Sequence, residues 1–185
     1  MTIALDRDVE SVRPFIEVAN PTHPSLIDTT FSFAAAYDVV NVPTSIWVDE
    51  EGRIARPHDT IYVTDTFKDV HRIDPEPLKD AIRRWAREGV VDVDDAGHEP
   101  PSPEHSEARA EFAVGRYLAQ ARDDREAAEP HFTRAVELAP HDWTIRRGSL
   151  PMRGIDPMGE VWLRDVGEWV GAGNRYYERI RPKRT

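Results

Sequence analysis

The stretch YDVVNVPTSIWVDEEGRI, residues 37–54, enters an apolar strand through Val42-Pro43 and turns back at Asp49-Glu50-Glu51-Gly52. Thr44 to Val48 carries β-branched and aromatic residues, and Gly52 closes a tight connection to Arg53-Ile54-Ala55, so the pattern predicts a β-hairpin. Proline donates nothing to a β-ladder and belongs at the first residue of a strand or on an edge. Pro43 therefore marks where the strand begins. Just before it, Phe31 to Tyr37 reads as a short helix closed by Asp38 in a left-handed conformation.

Outward from this stretch, Ile3-Ala4-Leu5 is a short strand candidate. A helix follows with Asp8 as its N-cap and Val9, Val12, Ile16 and Ala19 on one face; Pro14 is expected to bend it or delay its start. Pro21 and Pro24 break the chain, and Ser25 to Asp28 is a brief extended piece. Beyond the hairpin, Ile61-Tyr62-Val63 reads as a further strand and Phe67 to Val70 is ambiguous. Asp74 and Pro75 then open a helix with Leu78, Ile82 and Trp85 on one face, stopped by Gly89. Residues 91–105 are acidic and proline-rich and read as a linker. After it the pattern is helical: Ala108, Phe112, Gly115 and Ala119 share one face, Ala128, Phe132 and Ala135 a second, and Trp162, Val166 and Trp169 a last helix.

Composition narrows the function. The 185 residues are 39% hydrophobic and 31% charged, which supplies a core and argues against pure disorder. A net charge of −10 disfavours nucleic-acid binding, which depends on clustered Lys and Arg. The terminal basic cluster (Arg175, Arg179, Arg181, Lys183, Arg184) reads as a solvated tail. No apolar run approaches the ~18 residues of a membrane span, and no basic region precedes an apolar one at Met1, so the chain reads as cytoplasmic, with no membrane partner. The seven histidines show no helical His-x-x-x-His pair and read as scattered surface residues; no metal site and no cofactor is expected. Cysteine is absent, which removes disulfides, thiolate metal sites and thiol catalysis from this polypeptide.

Taken in order, Ala4-Leu5-Asp6, the helix holding Pro14-Phe15, Asp28, Tyr37-Asp38-Val39, Val42-Pro43-Thr44, Asp49 and Gly52-Arg53-Ile54 resemble the thioredoxin-like redoxins of the TlpA/ResA type. These are thiol-disulfide oxidoreductases, some linked to peroxide defence. The resemblance implies an α/β fold, an incomplete thioredoxin-like domain over residues 1–90 with a mixed sheet and flanking helices. It also implies a cis peptide bond before Pro43, with Val42, Pro43 and Thr44 lining a groove for an extended peptide or a protein thiol or disulfide substrate. The family's catalytic Cys-x-x-Cys, with the strand that carries it, lies ahead of the Ile3 strand and is not among these residues. In the family's sheet that strand sits between the Ile3 and Thr44–Val48 strands. The expectation is an N-terminally shortened redox protein, whose missing motif holds cysteine or selenocysteine; the other reading is a degenerate member acting as a binding module. No residue of this chain is expected to be the nucleophile.

Gly115-Arg116-Tyr117-Leu118, Arg125-Glu126-Ala127-Ala128, Phe132, Ala135 and Leu138-Ala139-Pro140 resemble a tetratricopeptide helix pair. The resemblance implies an all-α region over residues 106–185 that holds a protein partner. One repeat cannot bury its own face, so this region is expected to dock on the first domain or on a partner.

Overall fold

The computed structural model describes residues 1–59, 74–91, 93 and 100–177. The chain mixes helices and strands: β1 (Thr2–Leu5), α1 (Val9–Ala19), β2 (Ser25–Asp28), α2 (Ser32–Ala36), β3 (Ser45–Val48), β4 (Ile54–Asp59), α3 (Glu76–Glu88), α4 (Pro103–Ala121), α5 (Arg125–Leu138), α6 (Trp143–Ser149), a 3-10 turn (Pro151–Arg153) and α7 (Glu160–Gly171). It forms two compact units, each discontinuous in sequence. The first joins residues 1–40 to 101–172, and the second joins 41–100 to 173–185. Composition located a polar stretch at 91–105, but polarity does not say which segments pack together. The pieces assigned above to Ile61–Val63 and Phe67–Val70 lie outside the described residues, as does most of the acidic stretch.

In the first unit, β1 and β2 pair in parallel with Thr2 opposite Ser25 and Leu5 opposite Asp28. Asp8 opens α1 by accepting the Ser11 N–H at 2.8 Å. The helix runs through Pro14 from Val9 to Ala19, so this proline neither delays its start nor ends it. Asp28, at the end of β2, is buried and caps α2, accepting the N–H groups of Ser32 at 3.1 Å and Phe33 at 2.8 Å. Such caps satisfy the orphan donors of a helix's first turn.

The helices complete this unit. Ser102 caps α4 through the His105 N–H with Pro103 at the first position, so the helix begins inside the proline-rich stretch. Glu107 meets Arg134, Glu111 meets His131, and Gly115 lies near the Ala128 carbonyl. Rising numbers in α4 facing falling numbers in α5 make the pair antiparallel. Its shared face is Ala108, Phe112, Gly115, Ala128, Phe132 and Ala135, all buried. This face continues onto residues 1–40: the Phe112 ring meets Phe31 edge-on at 5.1 Å, and the Arg116 guanidinium donates to the Thr29 carbonyl at 3.4 Å. Tyr117 stays exposed.

In the second unit, β3 and β4 pair antiparallel with irregular register, Trp47 opposite Arg56 and Val48 opposite Ile54. Asp49 builds the turn by accepting N–H groups of Glu51 at 3.1 Å and Arg53 at 2.8 Å, and Gly52 takes the left-handed φ of 79° that closes it. Trp47 and Leu78 form the core with Ala55, Ala81, Ile82, Trp85 and Val91 around them, and the Trp47 and Trp85 rings stack at 5.0 Å. Among the described residues the strands make two separate two-stranded sheets, β1–β2 and β3–β4.

A Cβ added at Gly115 would stand 2.9 Å from the Phe132 ring, itself fully buried and unable to yield. Gly115→Val is therefore expected to lower stability by about 1–3 kcal/mol through overpacking, measured by urea unfolding. An unchanged midpoint would mean the α4–α5 seam is looser than described.

Candidate functional site

Two features follow one another in sequence along residues 38–44, one in each unit. The first is a buried ionic cluster in the first unit. Asp38 follows α2 with φ 50°, the left-handed position expected from sequence, and this turns Val39 and Val40 toward the helices. Asp142, 0% exposed, stands at the head of α6. Its Oδ1 accepts the N–H groups of Thr144 at 2.9 Å and Ile145 at 3.2 Å, and the Thr144 hydroxyl at 2.6 Å. Its Oδ2 meets His105 Nε2 at 2.8 Å and the Arg109 guanidinium at 3.2 Å.

The same two α4 side chains reach the other carboxylate. Arg109 bonds Asp38 at 3.1 Å and His105 Nδ1 lies 3.5 Å from it. The backbone is gripped as well: Trp143 N–H donates to the Val40 carbonyl at 2.6 Å, and the Thr144 hydroxyl and Arg109 both reach the Val39 carbonyl at 3.4 Å. Residues 38–40 are thus met by four groups of α4 and α6: the His105 and Arg109 side chains, the Trp143 N–H and the Thr144 hydroxyl.

His105 is a correction to the reading of the histidines as surface residues. It is 5% exposed and ion-paired, with partners at positions 38 and 142, too far along the chain for local spacing to show. His131 is likewise paired, to Glu111 at 2.6 Å. Among the described residues no three ligating side chains converge as a metal site would require.

The second feature, in the second unit, is the loop from Asn41 to Thr44. The Val42–Pro43 bond is cis. Asn41 is 3% exposed, Val42 38% exposed, and Pro43 and Thr44 are half-buried. The Thr44 hydroxyl donates to the Asn41 carbonyl at 2.6 Å, closing the loop on itself. The Val42 N–H donates to Asn41 Oδ1 at 2.8 Å, so this donor is already engaged by the neighbouring side chain. The Asn41 amide nitrogen Nδ2 donates to the Tyr176 carbonyl at 2.6 Å. The three expected site residues are therefore together at the head of β3, and Asn41, which the sequence did not single out, organises them. Its only sequence signal was an amide-bearing residue directly before Val-Pro.

No family model, curated protein or solved structure matches this chain. Among the described residues no helix is long and apolar enough to cross a membrane.

Removing one partner from a buried ion pair leaves the others desolvated and uncompensated, which costs about 3–5 kcal/mol. Asp142→Ala is expected to destabilise the chain by that order in denaturant unfolding, because it also removes the α6 cap. A loss below about 1 kcal/mol would contradict the cluster's role.

His141 packs edge-on against the His105 ring at 4.9 Å. Its pKa is lowered from the ordinary 6.5, first by desolvation and then by the charge of His105, with Asp142 and Asp38 acting in the opposite direction. A depressed histidine pKa means the unfolded chain binds the proton first, so stability falls as pH drops below about 6.5. His141→Gln is expected to flatten that part of the stability–pH curve; an unaltered slope would sink the assignment.

Proposed function

We propose that the chain is the substrate-holding part of a thioredoxin-like thiol-disulfide oxidoreductase, with the reactive thiol supplied from outside these 185 residues. The observation that carries this reading is the corner at the head of β3: Val42 exposed, Pro43 and Thr44 beside it, and a strand whose ladder partner among the described residues is β4 alone. The corner sits within the ordered series of motifs from Ala4 to Ile54 that resembles the redoxins. Val42, Pro43 and Thr44 meet an extended protein substrate, with main-chain groups giving affinity, as in strand addition to a sheet edge. The α4–α5 pair, tetratricopeptide-like in sequence, contributes the clamp on residues 38–40 and a surface for a protein partner.

Disulfide exchange requires a thiolate to attack sulfur, and the chain has no cysteine. Histidine and carboxylate do not replace it. The purified 185-residue chain is expected to reduce insulin disulfides no faster than the uncatalysed reaction with dithiothreitol. Turnover above that background would overturn the proposed mechanism.

The complete absence of cysteine also favours a second reading, a non-catalytic peptide-binding module using the same loop. The coding DNA upstream of Met1 separates the two. An in-frame Cys-x-x-Cys, or a stop-like codon followed by x-x-Cys, supports the redox reading; neither appearing supports the binding module.

A further inference from the structure

The loop proposed above to hold substrate is in contact with another part of its own chain. After α7, Gly173 takes a left-handed φ of 88°, and the chain continues exposed through Asn174 and Arg175 to Tyr176 and Tyr177, which are half-buried. The two tyrosine rings pack edge-to-face at 4.5 Å. The Tyr176 carbonyl accepts from Asn41 Nδ2 at 2.6 Å, across 135 positions of sequence.

The chemistry of that bond is informative. The amide of Asn41 has one oxygen and one nitrogen, and both are in use: the oxygen takes the Val42 N–H and the nitrogen meets a backbone carbonyl. The side chain thereby relays the donor that Val42 would have offered, presenting it as Nδ2. A main-chain carbonyl is the group every extended peptide carries, whatever its side chains. The segment around Tyr176 therefore makes the kind of contact a peptide substrate would make, with a donor that is nearly inaccessible to water. A buried amide donor is costly to leave without a partner, so the segment departs readily only when another carbonyl replaces it.

We propose that Gly173–Tyr177 is an intramolecular plug: it occupies the main-chain-reading donor of the 41–44 loop, and an extended peptide binds by displacing it. This rests on the reading of that loop as a peptide-holding site. Because the plug is tethered to the same chain, it competes at high effective concentration, so free peptide binds more weakly than the loop alone would allow. Tyr176 and Tyr177 lie on either side of the bonded carbonyl and their rings pack on each other, so replacing both with glycine loosens the segment.

The test uses the full chain. Fluorescein-labelled insulin B chain, with its thiols alkylated, serves as the extended peptide, and binding is read by anisotropy. The Tyr176→Gly/Tyr177→Gly double variant is expected to bind it at least tenfold more tightly than the unaltered chain. Adding Asn41→Ala to the double variant is expected to abolish the gain. Hydrogen exchange is measured in parallel on the unliganded chains. The double variant should expose Gly173–Tyr177 to faster exchange while β3 and α3 keep their protection, which also shows that the variant is folded. Equal affinity of the unaltered chain and the double variant, both sensitive to Asn41→Ala, would overturn the plug and leave the peptide-holding loop standing. Absence of binding by either folded chain would overturn the plug and the loop reading together.

Discussion

The carboxylate of Asp142 is the point on which the first unit depends. One oxygen starts α6 by taking the N–H groups of Thr144 and Ile145, and the other draws His105 and Arg109 out of α4. Those two side chains then take hold of Asp38. A fully buried charge is tolerated only when it is paired and hydrogen-bonded, and here every member of the cluster has more than one partner. Local helix capping and long-range anchoring are done by the same group. Consequently the start of α6, the register of α4 and the path of residues 38–40 are not independent choices.

Residues 38–40 lead in sequence directly into Asn41 and the Val42–Thr44 corner of the second unit. In the proposed reading this corner meets a peptide main chain, where a displacement of about an ångström is enough to lose properly directed hydrogen bonds. The backbone carbonyls of Val39 and Val40 are bonded by Arg109 and the Trp143 N–H. The helices that look like a partner-binding appendage in sequence thus hold residues 38–40 within the first unit. Within the second unit, Asn41 and Thr44 fix the loop's own shape through bonds to each other and to Val42.

Much of the local structure was legible because its causes are local. Asp8 as a cap, Asp38 and Gly52 in left-handed positions, Gly89 at the end of α3 and the Leu78–Ile82–Trp85 face each follow from one to eight residues of sequence. Pro14 does not delay the start of α1, because a helix held by the burial of Val12 tolerates the loss of one internal hydrogen bond. What the sequence concealed is non-local. His105 finds Asp142 across 37 positions, and Asn41 finds Tyr176 across 135. No spacing rule connects such pairs. The helical region was expected to dock, but that it groups with residues 1–40 and not with 41–90 was not legible, since a proline-rich stretch shows where the chain is polar and not what it returns to.

The central claim is that the corner formed by Asn41, Val42, Pro43 and Thr44 is where this chain meets an extended peptide. Amide chemical shifts of the uniformly ¹⁵N-labelled full chain, followed while an unlabelled extended peptide is added, address it most directly. The account predicts saturable shifts centred on Asn41, Val42, Thr44 and Ser45, with Tyr176 and Tyr177 moving in step. Shifts confined to α4, α5 or α7, with residues 41–45 unmoved at saturation, would contradict it.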